Sequence, residues 1–186
     1  MMKLMRLFLP LCVSAVLLAA GDSLVIDPAQ TKVEFTLGSL LHTVHGNFQL
    51  KRGTLRFDPQ SGKASGELVV DAASGESGNA GRDQKMHAAI LESTMYPEIT
   101  FRPDRVDGKV APQGRSQVQV HGVFAIHGAG HEILLPVTVD AAAGQYTVAA
   151  TFEIPYVKWG MKNPSTLFLR VNDKVEITIH TVARGM

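Results

Sequence analysis

The sequence predicts a single all-β domain of antiparallel strands behind an N-terminal export signal. From residue 22 onward apolar residues alternate with polar ones in segment after segment, the period of a strand with one buried face. Most of these segments are joined by turns too short to hold a crossover helix, which makes neighbouring strands antiparallel. The third observation lies at the front, where Lys3 and Arg6 precede an apolar run over residues 7–20 that ends in Ala19, Ala20 and Gly21. A basic start, a short apolar stretch and small residues at a cleavage point are the parts of a secretory signal peptide. The run is shorter than the roughly 20 residues a membrane span needs.

Residues 1–21 are therefore expected to be removed, leaving 22–186 as the mature domain, not membrane-spanning and periplasmic or secreted. Cys12, the single cysteine of the chain, sits inside the apolar run behind the bulky Leu11, which does not suit a lipoprotein acceptor. It leaves with the signal, so the mature domain is held by its core without a disulfide. Charged residues make up 19% of the 186 residues, and Lys plus Arg (18) nearly balance Asp plus Glu (17). Without Lys3 and Arg6 the balance is 16 to 17, so no overall basic footprint remains for nucleic acid or for an anionic membrane surface.

The strands read in order as follows. Val33, Phe35 and Leu37 alternate with Lys32, Glu34 and Thr36; Val44, Phe48 and Leu50 alternate with polar neighbours, as do Leu55 and Phe57. Leu68 and Val70, Ile99 and Phe101, and Val118 to Ile126 continue the pattern, followed by Ile133 to Val139, Tyr146 to Ile154 and Val175 to Ile179. At least eight strands result. Turn signals separate them at Lys51-Arg52-Gly53, Asp58 to Gly62, Asp107-Gly108, Gly128 to Gly130 and Gly144. One stretch, residues 80–95, breaks the period: Asp83 is placed to cap a short helix carrying Met86, Ile90 and Leu91 at helical spacing. Periodicity leaves open whether the sheet closes into a barrel or splits into a sandwich, and whether its interior is solid or holds a ligand.

The inner face is almost wholly Phe, Val, Leu and Ile, with the acids and bases on the outer face or in turns. That pattern lacks the converging titratable groups of a catalytic site, and any occupant of the interior should be apolar. No phosphate loop, dinucleotide fingerprint or nucleophile elbow is present. The histidines supply the rival reading, a metal-dependent hydrolase using His42, His45, His127 and His131. His42 and His45 fall on opposite faces of a strand, whereas the turn between His127 and His131 brings those two rings within reach of each other. A third reading is a purely structural or stress-related extracytoplasmic barrel with a filled core. Residues 156–164 stand apart, with the only Trp and two cations in a stretch of turn character. They read as a flap in which Trp159 and Met161 touch an apolar chain while Lys158 and Lys162 meet a polar or anionic head group, or else as a loop whose Trp closes one end of the core. Arg82, ahead of the helix, is a rim cation or a partner of Asp83 or Asp104.

Four segments in order resemble the YceI-like family of secreted, lipocalin-like, polyisoprenoid-binding proteins: VIDPAQTKVEF at 25–35, HTVHGNFQLKRGTLRFDP at 42–59, GRDQKMHAAILESTMYPEITF at 81–101 and VHGVFAIHGAGHEILLPV at 120–137. The resemblance implies an eight-stranded antiparallel lipocalin-like barrel with a short helix between strands, enclosing an elongated apolar tunnel. It implies carriage of an isoprenoid lipid, a polyprenyl phosphate or an isoprenoid quinone, without catalysis and with no cofactor beyond the bound lipid. The tunnel lining is then Phe35, Phe48, Phe57, Phe101, Phe124, Ile126 and Phe152, with Trp159 and Met161 near its mouth and Arg82, Lys158 and Lys162 as the head-group rim. A homodimer is compatible with this arrangement. Two departures fall near the ligand: Lys85 stands where the family usually has His after its Arg-Asp pair, and Ile90-Leu91 replace a bulky aromatic pair.

Overall fold

The computed structural model describes residues 22–185, so the signal-peptide expectation and Cys12 lie outside the described residues. Nine strands follow one another: β1 (Asp22–Ile26), β2 (Lys32–Gly38), β3 (Thr43–Phe57), β4 (Ala64–Glu76), β5 (Glu98–Asp107), β6 (Gly114–Ile126), β7 (Ala129–Ala142), β8 (Gln145–Ile154) and β9 (Val175–Gly185). All pair antiparallel, each with its chain neighbour from β2 to β9, and β2 pairs with β9 to close the sheet on itself. The alternative of a sandwich is thereby settled in favour of a barrel. It has eight staves and not nine, because β1 and β2 share one slot between β3 and β9. Between them the chain steps sideways through a 3-10 turn, Pro28–Gln30, capped by the Asp27 carboxylate, which accepts from Ala29 N at 3.0 Å.

The connections divide into two ends. One end, the floor, carries the β3–β4, β5–β6 and β7–β8 links; the other, the mouth, carries β2–β3, β4–β5, β6–β7 and the long β8–β9 loop over 155–174. The β6–β7 and β7–β8 links are two-residue turns, His127-Gly128 and Ala143-Gly144, in which both residues have positive φ. Those mirror-image turns match the twist of the flanking strands, and glycine at the second position takes the conformation without a Cβ penalty.

Two expectations are corrected here. Lys51-Arg52-Gly53 is not a turn: β3 runs straight through it for 15 residues, with a register shift between Leu50 and Arg52. A bulge uses the same residue types as a turn and bends the strand without ending it. The helix is also shorter than expected. α1 (Ala80–Lys85) is capped by Asn79, whose side chain accepts from Arg82 N at 3.0 Å, and it opens into one wide π turn over Met86–Ile90. Asp83 is not the cap; its carboxylate accepts from the Ser77 backbone N–H and hydroxyl, tying the helix to the end of β4.

The alternating residues point inward as their period requires, and the buried set draws on nearly every stave: Ile26, Val33, Leu50, Val70, Phe101, Phe124, Leu135, Val137, Ala150 and Ala183. Among the described residues no helix is long and apolar enough to cross a membrane.

Candidate functional site: an apolar cavity with one basic mouth

The barrel is hollow. A cavity of about 580 Å3 runs along its axis, within the roughly 300–1,000 Å3 of small-molecule sites. On β3 its wall extends from Val44 to Leu55; at ~3.3 Å per residue and a strand tilt near 40° that spans roughly 28 Å. Val33 and Phe35 on β2, Val148, Ala150 and Phe152 on β8, and Val175, Ile177 and Ile179 on β9 complete the nearby wall. In the lower wall the Thr31 and Thr181 hydroxyls satisfy each other at 2.6 Å, so they offer a ligand little.

Two glycines shape the upper part. A Cβ on Gly46 would stand 2.3 Å from the Phe35 ring, and one on Gly75 would stand 2.4 Å from the Phe48 ring. The two rings therefore lie against bare backbone and against each other, with centroids 5.5 Å apart. Opposite them Phe124 and Phe152 meet edge to face at 6.1 Å. Such pairs contribute about 1 kcal/mol beyond burial and hold the wall in shape whether or not it is filled.

At the mouth the wall becomes polar and basic. Arg82 and Lys85 on α1, His42 in the β2–β3 turn, and Ser39, Ser77 and Pro164 line the opening. The Arg82 guanidinium donates to the Ser77 hydroxyl and carbonyl, both at 2.7 Å, and not to Asp83 or Asp104. Lys85 reaches across the opening and donates to the Pro164 carbonyl at 3.2 Å, tying α1 to the β8–β9 loop. Beside it Tyr156 and Met161 are buried, and the Tyr156 hydroxyl donates to the Asn172 carbonyl at 2.7 Å. Burial, with the Asp173 carboxylate second, pushes the Tyr156 phenol up to about 12. It is a neutral structural hydrogen-bond donor at physiological pH.

Of the residues singled out from sequence, Phe35, Phe48, Phe101, Phe124, Ile126, Phe152, Met161 and Arg82 line this cavity. Four do not. Phe57 lies one pleat beyond Leu55, paired with Asp22 and Ala64 past the floor. Trp159 is outside the lining: its indole stacks on His131 at 4.0 Å with a 2° interplanar angle, and its other aromatic neighbour is Phe124 at 6.0 Å. It is the loop residue that closes one end of the core. Lys158 and Lys162 are exposed and off the wall. The rim cation that sequence reasoning missed is Lys85, mentioned only as a departure from a pattern. The pairing of His127 with His131 that the rival hydrolase reading needs does not form. His127 pairs with the Glu92 carboxylate at 2.7 Å, and the β6–β7 turn aims the two rings at different partners. His42 and His45 do not share a strand either, since His42 sits in the turn before β3 while His45 meets the Thr36 hydroxyl at 3.1 Å. Among the described residues no three His, Cys, Asp or Glu side chains converge as a metal site.

A closed antiparallel barrel around an apolar, basic-mouthed cavity defines a lipocalin-like protein. The comparisons make that class specific, because the model of the YceI-like domain matches residues 24–183, and the chain belongs to that family. Similar solved structures include BcnA of Burkholderia cenocepacia (TM-score 0.69, 21% identity, 84% of this chain and 98% of that one). A polyisoprenoid-binding domain from Saccharophagus degradans, implicated in plant cell wall breakdown, matches at TM-score 0.68 with 14% identity over 89% of this chain and 99% of its own. The YceI protein of Campylobacter jejuni follows at 0.61 and 19%, over 78% and 86%. At these identities the likeness is one of fold. No curated protein matches the chain.

Proposed function

We propose that this protein binds and carries one long isoprenoid lipid in the bacterial cell envelope, periplasmic or secreted, without catalysing a reaction. The observation that carries the reading is the cavity itself: about 580 Å3, apolar along its length, and basic only at the end where a head group would emerge. Burying an apolar chain there gains roughly 25 cal/mol for each Å2 removed from water, enough for micromolar binding after the cost of association. Arg82 and Lys85 favour a polar or anionic head, a polyprenyl phosphate or the ring of an isoprenoid quinone, since each cation retains donors beyond those it uses within the protein. Membership of the family and the polyisoprenoid-binding relative of the same fold support the ligand class. Carriage requires no cofactor other than the cargo.

The test is organic extraction of protein purified from its native host without detergent, followed by mass spectrometry. A prenyl lipid at about one per chain is expected. A blank extract that stays blank after incubation with polyprenyl phosphate and with quinone overturns the reading in favour of a structural barrel.

A further inference from the structure

The mouth carries a feature that ligand binding does not use. Residues 39–42 and 166–169 are both tight turns. In the first, Ser39 N donates to the His42 carbonyl at 3.0 Å; in the second, Thr166 N donates to the Leu169 carbonyl at 2.9 Å. Side-chain bonds brace each from within, the Ser39 hydroxyl to the His42 carbonyl at 2.6 Å and Leu169 N to the Thr166 hydroxyl at 3.2 Å. The two central residues of each turn are large and apolar, and they face solvent: Leu40 and Leu41 are each 72% exposed, Leu167 is 89% and Phe168 is 86%. Tight turns ordinarily place Gly, Asn, Asp or Ser at such tips.

The turns are also joined. Leu40 N donates to the Arg170 carbonyl at 2.9 Å, Asn172 N donates to the Gly38 carbonyl at 2.9 Å, and Ser39 bridges Val171. Their flanks, Ser39, His42, Leu169 and Val171, line the cavity mouth, so the paired tips stand at its lip. The two segments that carry the tips are themselves free of acids. Residues 35–46 and 155–172 contain no Asp or Glu, while the second segment supplies Lys158, Lys162 and Arg170 and α1 adds Arg82 and Lys85. Of the acids that border this region, Asp83 is occupied by Ser77, Glu76 meets the Asn47 amide at 3.2 Å, and Glu153, set opposite Glu176 where β8 and β9 leave the loop, pairs with Lys174 at 3.2 Å. Asp173, at the base of the loop, lies beside Tyr156.

We propose that the two turn tips dock the barrel mouth-first onto an anionic phospholipid bilayer, the four apolar side chains entering the interface and the cations meeting lipid phosphates. Two hydrogen-bonded apolar tips with cations in the same loop and on the neighbouring helix fit the interfacial mode of membrane binding, in which apolar insertion and attraction to anionic lipid act together. The docking extends the carrier reading to the loading step, yet it stands apart from that reading in its test.

Vesicles of phosphatidylcholine, with and without phosphatidylglycerol and free of isoprenoid lipid, are floated with the mature protein at low and high salt. Binding to the anionic vesicles is expected to exceed binding to the neutral ones by roughly tenfold and to weaken in high salt. The variants Leu167→Ser/Phe168→Ser and Leu40→Ser/Leu41→Ser are each expected to lose on the order of tenfold, with an unchanged melting temperature. Equal flotation of wild type and both variants, or no flotation of wild type, overturns the docking. So does a wild-type dimer that the tip substitutions turn monomeric, which assigns the tips to a second copy of the chain. Capture of a fluorescent prenyl alcohol from dilute solution reads the cavity alone and is expected to be the same in wild type and tip variants. A protein that floats but captures nothing refutes the carrier reading and leaves the docking intact.

Discussion

The two ends of the barrel are built from turns of similar tightness and opposite chemistry. At the floor, the β3–β4 link is organised by Asp58, whose carboxylate accepts from Gln60 N at 2.9 Å and the Ser61 hydroxyl at 2.5 Å and is held below the usual carboxylate range by those bonds. The β7–β8 turn uses Ala143-Gly144 at positive φ. Asp58 and Gly144 there each answer a demand of the backbone. In the two lip turns of the mouth, 39–42 and 166–169, backbone hydrogen bonds close the turn and the side chains of the tip residues take no part in them. Each exposed Leu or Phe forgoes roughly 2 kcal/mol that burial would return. Folding gains nothing from them, so their use lies in a contact outside the folded chain.

The sharpest way to break this contrast is at the floor. Ile26 is 2% exposed and packs where a Cβ on Gly53 would stand 2.8 Å from its own Cβ. Ile26→Ala should lower the unfolding free energy by about 3 kcal/mol, seen as a fall in urea midpoint at unchanged slope. A loss below about 1 kcal/mol would show the floor to be no more rigid than the lip.

Next in size is a pH effect at the mouth. With the Tyr156 phenol at about 12 in the folded chain against an ordinary 10, the unfolded chain ionises first as the medium turns alkaline. The folded chain then holds more protons, and stability falls as pH rises between those values, fully retained below pH 10. The fall should reach at most about 2.7 kcal/mol, and Tyr156→Phe should flatten it. An identical alkaline slope in that variant would assign the effect to other groups.

Smaller still is Ala150→Phe, which adds bulk to the cavity wall where empty space exists to receive it. Stability should change by less than about 1.5 kcal/mol while prenyl-lipid capture drops by at least tenfold, measured by fluorescence titration. The smallest change should come from the lip itself. Leu167→Ser/Phe168→Ser should move the urea midpoint by no more than about 0.5 kcal/mol equivalent, since neither side chain is buried. A larger loss would mean that the tips pack against something within the fold.

Which faces of the strands point inward was legible where a period of two runs unbroken, as in Val33-Phe35-Leu37 and Val175-Ile177-Ile179, but β3 and β5 change phase at their register shifts and β4 buries both Val69 and Val70. The bulge in β3 was not, since Lys51-Arg52-Gly53 has a turn's composition and only pairing with β4 shows that the strand continues. Closure was not legible from periodicity either; it rests on β2 meeting β9, and the resemblance to a family supplied it instead. Hollowness depends on how far opposed side chains reach across the axis, which alternation does not encode. Trp159 drew attention as the only Trp, yet its stacking on His131 depends on the approach of the β6–β7 turn. The tips carried a signal that was overlooked, paired large apolar residues flanked by Ser or Thr outside any alternating run.

The slot that β1 and β2 share also sets the order of events in time. Lys32 pairs with His180 and Ile26 with Ala183, so the last seam of the wall joins segments from opposite ends of the chain. Hairpins such as β6–β7 can form as soon as their residues are available, but the seam waits for β9, and such distant pairing makes folding slow. Until β9 arrives the sheet has two open edges, β8 on one side and the incomplete stave on the other, each able to pair with a foreign strand. A chain cut before Val175 would keep most of its apolar wall and never enclose a cavity, leaving an aggregation-prone sheet in place of a container.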